Sequence, residues 1–140
     1  MRSYFDTSAL AKRYVREPGT DTVLTKCSEA TEIVISVISL PELVSAFNRL
    51  RRENSITTEQ YSSLKNEAIA DLRQAMFVEL SPTVLQEAVF CLESAPLRAM
   101  DAIHIATARR TGCDSFISAD TRQCDAARQL GLAVFQIEKG

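Results

Sequence analysis

Several things are scarce in this chain, and each scarcity closes a route. No apolar run approaches the roughly 18 residues a membrane-crossing helix needs, so no membrane partner is expected. The first residues, MRSYFDTSAL, lack the apolar stretch of a secretion signal and carry an acid at position 6, which points to the cytoplasm. Glycine is rare, four residues in 140, and none sits in a phosphate-cradling loop, so a nucleotide-binding loop is excluded. The four cysteines, Cys27, Cys91, Cys113 and Cys124, form no C-x-x-C pair, and the single histidine, His104, cannot complete a zinc-finger pattern. In a reducing compartment these are core or surface thiols, since a catalytic cysteine would have only His104 for a base. A net charge of −2 excludes a polycation, although a local basic patch remains open. Basic residues gather at Lys12, Arg13 and Arg16, at Arg49, Arg51 and Arg52, and at Arg109 and Arg110. Alone, such groups read as solvated helix faces.

What is present is an alternation of short apolar runs with longer helical periods. Length and a hydrophobic content of 46% suit a single domain over residues 1–140 with a real core. SYF is a short strand, followed by a helix TSALAKRYVRE stopped at Pro18-Gly19. DTVLTKCSEA is a second helix, and EIVISVI, β-branched and unbroken, is a buried strand. SLPELVSAFNRLRREN and TTEQYSSLKNEAIADLRQAM are helices, FVEL a strand, and SPTVLQEAVFCLES a helix with Pro82 near its start. PLRAMDAIHIATARR is a helix with a broad apolar face, ended by Gly112; then follow strand SFIS, helix TRQCDAARQLG and strand AVFQI. Strands alternating with helices imply an α/β fold, a mostly parallel sheet covered on both faces. Sites in such sheets form beyond the carboxyl ends of the strands, where strand order reverses.

Four acids fall at such places. Asp6 follows the first strand and Asp120 follows SFIS; Glu42 and Asp101 open helices. Each has a structural role on offer. Asp6 and Asp120 suit helix caps, Glu42 closes a capping box with Ser39, and Asp101 favours a helix dipole. Gathered at one end of a sheet, however, four carboxylates repel one another unless a cation sits among them. With only oxygen ligands, that cation would be hard and divalent, and its usual chemistry is attack of activated water on a phosphate ester.

The chain resembles the PIN-domain ribonucleases, specifically the VapC-type toxins of toxin–antitoxin pairs. YFDTSALAKRY, SVISLPELVSAFNRL, LRAMDAIHIATARRTG and SFISADTRQCDAARQLGL match in order and spacing, over essentially the whole chain. The resemblance implies a three-layer α/β/α sandwich and an acidic pocket that binds Mg²⁺ or Mn²⁺ and cuts RNA. Its acids carry over as Asp6, Glu42, Asp101 and Asp120, with Asp6 and Asp101 on the main ion and the other two completing the pocket. Asp125 departs from the pattern and reads as surface. Water as the attacking group implies 5′-phosphate and 3′-hydroxyl ends. Ser8 and Ser118 are placed to orient the acids, and His104 reads as a structural histidine. Under this reading Arg13 and Arg16, or Arg49 and Arg52, would hold the RNA backbone. The resemblance also implies a homodimer and a cognate antitoxin. Leu43, Phe47, Leu50, Tyr61 and Leu64 offer either a docking groove for it or ordinary core.

Other acidic α/β enzymes fit less well. Haloacid-dehalogenase phosphatases need D-x-D after the first strand, where this chain has Asp6-Thr7-Ser8, and receiver domains need adjacent acids there. The alternative is a non-catalytic RNA- or protein-binding module, in which the acids are caps.

Overall fold

The first strand lies in the middle of the sheet. A computed structural model describes residues 1–139. In it β1 (Arg2–Phe5) pairs on one side with β2 (Glu32–Ser36) and on the other with β4 (Ser115–Ser118). β3 (Met76–Val78) adds outside β2 and β5 (Val134–Gln136) outside β4, giving the order β3-β2-β1-β4-β5. Every pairing is parallel, so all five carboxyl ends share one edge. The order reverses between β1 and β4, which is where a site is expected.

The two faces follow from the two-residue period of the strands. Tyr4, Val34 and Phe116 point to one side, where α5 (Pro82–Ser94), α6 (Ala99–Arg110) and α7 (Thr121–Gln129) pack through Ala88, Cys91, Ile105 and Ala127. Phe5, Ile35 and Ile117 point to the other, against α1 (Thr7–Tyr14), α2 (Thr20–Glu29), α3 (Ser39–Arg52) and α4 (Thr58–Gln74). The result is the expected three-layer α/β/α sandwich. Alanines at 102, 106 and 108 let α6 lie close to the sheet, so its first turn is held rigidly.

The elements match the sequence reading, with differences at their ends. α1 stops at Tyr14 instead of running to Glu17, with Val15 already extended. Lys12, buried, sends its ammonium to Pro18 O and Glu17, while Thr20 Oγ1 donates to Lys12 O. These bonds replace the last helical turn. Gly19, at φ 97°, makes the corner possible: a Cβ there would stand 2.7 Å from Ile137 Cγ2 and 2.9 Å from Glu138 O. β3 ends at Val78 rather than Leu80, because β2 ends at Ser36 and leaves nothing to pair with beyond it. Of the five residues offered for docking, Leu43 and Phe47 are fully buried core, while Leu50, Tyr61 and Leu64 are half-buried, the last two against that same core. Among the described residues, no helix is long and apolar enough to cross a membrane.

Candidate active site

Asp6 is the first residue past β1 and caps α1, accepting from Ala9 N at 3.0 Å. It is only 2% exposed. Ser8 Oγ donates to Oδ1 at 2.7 Å, and Ser118 Oγ, at the end of β4, donates to Oδ2 at 2.5 Å. Burial pushes the Asp6 carboxyl above the usual carboxylate range, and these donors recover only part of the shift. The same serines stitch the two strand ends together. Ser8 Oγ accepts from Ala119 N at 2.9 Å and Ser118 Oγ from Asp120 N at 3.0 Å. Asp120 in turn caps α7, accepting from Gln123 N at 3.1 Å.

Glu42 does not form the capping box that Ser39 and Glu42 suggest. α3 begins at Ser39, and the residue at its N-cap, Ile38, makes no side-chain cap. Glu42 instead turns to the centre of the edge, where Oε1 accepts from Thr7 Oγ1 at 2.6 Å and from His104 Nε2 at 2.8 Å. Burial raises its carboxyl, but those two bonds outweigh it and hold the group below its ordinary range. Asp101 lies in the first turn of α6, and its Oδ2 is buried without a hydrogen-bond partner among the described residues. Arg98 Nε stands 3.8 Å from that oxygen, an ion pair too long for a hydrogen bond. Burial, and then the charge of Asp120, raise the Asp101 carboxyl. Among the described residues, the other buried side-chain nitrogen or oxygen without a partner is Gln123 Nε2, in the helix turn that Asp120 caps.

The four acids thus reach one edge from four elements, and the two serines stand where they orient Asp6. They do not close into a cage: among the described residues, no three His, Cys, Asp or Glu side chains stand close enough to hold a metal ion. The donor chemistry nevertheless fits a hard divalent cation. The acids offer only oxygen, one of those oxygens is buried and unpartnered, and two carboxyls are raised by burial in a way that a cation would relieve.

The basic residues divide. Arg49 and Arg52, both exposed, line a groove of about 470 Å³ that includes Glu42 and Met100. Arg49 also lines a second groove, of about 350 Å³, with Ser8, Lys12, Asp120 and Lys139. Arg13 and Arg16 are not brought to the acids. Helix α1 carries Arg13 away from its capped end, at about 1.5 Å per residue, and Arg16 lies beyond the helix's last turn. Arg13 pairs with Asp71 at 3.5 Å and Arg16 with Asp21 at 3.1 Å. Asp125 is on the surface, paired with Arg128 at 3.3 Å. Thr7 and Arg98 are site neighbours that sequence reasoning missed. Thr7 follows Asp6 directly and Arg98 lies one helical turn before Asp101, so adjacency to the acids was the available signal.

Residues 3–129 match the PIN domain family model. Ribonuclease VapC46 of Mycobacterium tuberculosis is 31% identical over 133 residues, which span 94% of each chain. A toxin–antitoxin complex from Klebsiella pneumoniae contains a chain that superposes with a TM-score of 0.71 at 17% identity, covering 96% of this chain and 99% of that one. VapC20 of Mycobacterium tuberculosis, a sarcin–ricin-loop-cleaving toxin, superposes with a TM-score of 0.67 at 17% identity, covering 89% of this chain and 94% of that one. The fold, the residues at its carboxyl edge and the matched family model agree: the chain belongs to the PIN-domain family, as a relative of the VapC ribonucleases.

Proposed function

We propose that this protein is an endoribonuclease toxin of a toxin–antitoxin pair, hydrolysing RNA phosphodiesters in the cytoplasm with Asp6, Glu42, Asp101 and Asp120. The observation that carries the reading is the pair of acids after β1 and β4, Asp6 and Asp120, with Glu42 bonded to Thr7 beside Asp6, a costly buried carboxylate in Asp6 and an unpartnered buried oxygen in Asp101. Such an arrangement lowers stability and is kept where it serves chemistry. The relative named as a ribonuclease supports the reaction class, and the structural neighbour described as a toxin–antitoxin complex supports an antitoxin partner. A second copy of this chain is the other partner that the family resemblance implies.

Asp6 and Asp101 would hold Mg²⁺ or Mn²⁺, with Glu42 and Asp120 completing its surroundings. When bound, the ion supplies a water of lowered pKa and positive charge against the phosphodiester. The chain supplies position. Three donors fix Asp6, and Thr7 and His104 fix Glu42. Arg49 and Arg52 line the groove beside Glu42, where a phosphate backbone would find them.

The test is cleavage of total RNA by purified protein with Mg²⁺, Mn²⁺ or EDTA, beside a folded Asp6→Asn, Asp101→Asn double variant. Discrete fragments with 5′-phosphate ends, dependent on metal and lost in the variant, are expected. Cyclic 2′,3′-phosphate ends would refute attack by water. No cleavage by antitoxin-free protein would favour the binding module.

A further inference from the structure

His104 lies one turn after Asp101 on α6 and is only 3% exposed. Its Nδ1 is 2.5 Å from the Tyr4 hydroxyl, and its Nε2 is 2.8 Å from Glu42 Oε1. Tyr4 is fully buried in the central strand, its ring stacked on Phe116 at 5.3 Å. Its hydroxyl offers one O–H donor, and His104 Nδ1 is the partner it meets.

Hydrogen-bonding capacity settles which nitrogen carries the ring proton. A carboxylate only accepts, so the nitrogen facing Glu42 is the one that must donate. Nδ1 is then a bare acceptor, and the Tyr4 hydroxyl is its donor. The opposite tautomer would set a nitrogen lone pair against a carboxylate oxygen and leave the Tyr4 hydroxyl proton without an acceptor among the described residues.

We infer that Tyr4 and His104 form a buried relay, Tyr4 O–H to Nδ1 and Nε2–H to Oε1, that fixes the orientation of Glu42. Both are positioning residues. Together with Thr7 the relay occupies Oε1 twice, and Oε2 makes no hydrogen bond among the described residues. Oε2 is therefore the oxygen that Glu42 has left to offer. One strand then governs two acids: β1 ends on Asp6 and, through Tyr4, sets the angle of Glu42. What the relay achieves in catalysis rests on the reading of the acids given above; the relay itself does not.

Because the chain has one histidine, its imidazole gives a single set of nitrogen resonances. Long-range proton–nitrogen correlation on ¹⁵N-labelled wild-type protein is expected to show the proton on Nε2 and a bare, hydrogen-bonded Nδ1. A proton on Nδ1 overturns the relay. Tyr4→Phe keeps the ring and removes only the hydroxyl. It should keep the proton on Nε2, shift the Nδ1 resonance because that nitrogen loses its donor, and lower kcat for RNA cleavage about tenfold, with KM little changed. In a Glu42→Gln background, the same substitution should cost nothing further from the residual rate. Equal losses in both backgrounds would mean that Tyr4 serves only packing, and would overturn the inference. Failure of the catalytic reading has a different signature: Glu42→Gln leaves cleavage unchanged, or no RNA is cut, while the Nε2 proton is still found and the relay stands.

Discussion

A carboxylate as deeply buried as Asp6 opposes folding whenever it is ionised, even with three donors around it. Its carboxyl holds a proton more tightly in the folded chain than in the unfolded one. The folded state is therefore favoured in acid and loses ground as pH rises through the carboxylate range. Asp6→Asn removes that penalty while keeping an acceptor for Ser8 and Ala9. The variant should unfold roughly 3 °C higher near neutral pH, with the gain vanishing in acid, and it should cut no RNA. Thermal unfolding of both proteins across pH checks the first, and the cleavage assay the second. Gly19 makes the opposite case, a position where space and backbone angle decide and charge plays no part. Gly19→Ala would drive a methyl into Ile137 and the Glu138 carbonyl at a left-handed backbone angle. A loss of about 2 kcal/mol or more is expected in chemical denaturation. At this scale the acids were legible because each stands beside a strand end or in a first helical turn. The part played by Glu42 was not, since Ser39 and Glu42 have the spacing of a capping box and nothing local reveals His104 reaching across from α6.

Helices and strands were easier to read than their ends. The β-branched run of β2 and the apolar period of α4 are local signals. The end of α1 is not, because it depends on Lys12 reaching Pro18 and on a corner packed against the segment after β5. One boundary is written plainly: α4 opens with a capping box in which Thr57 accepts from Gln60 N at 3.0 Å and Gln60 Oε1 accepts from Thr57 N at 2.8 Å. Thr57→Ala should cost about 1 kcal/mol in denaturant unfolding and leave RNA cleavage unchanged, since the cap is exposed and takes no part in the acidic edge.

The direction of every strand decides where charge collects over the whole molecule. Arg49 and Arg52 line a groove with Glu42, whereas Arg13 is spent on Asp71 at the other end of α1. Neutralising both Arg49 and Arg52 should reduce the salt dependence of RNA binding by roughly 1 to 2 in the log–log slope, measured with the inactive Asp6→Asn protein. Arg13→Gln should leave that slope unchanged. The sequence offered these arginines equally, because sheet order and helix direction, which sort them, are properties of the assembled fold.

Because β1 sits between β2 and β4, the two halves of the proposed site are made at different times. Asp6 and the Ser118 that holds it lie 112 residues apart in the chain. During synthesis the first acid emerges early and waits, unpaired on one side, until β4 and α7 follow. A chain interrupted before Ser115 has neither Ser118 nor Asp120 and cannot complete the edge. Whatever the edge does, topology withholds it until the chain is nearly finished.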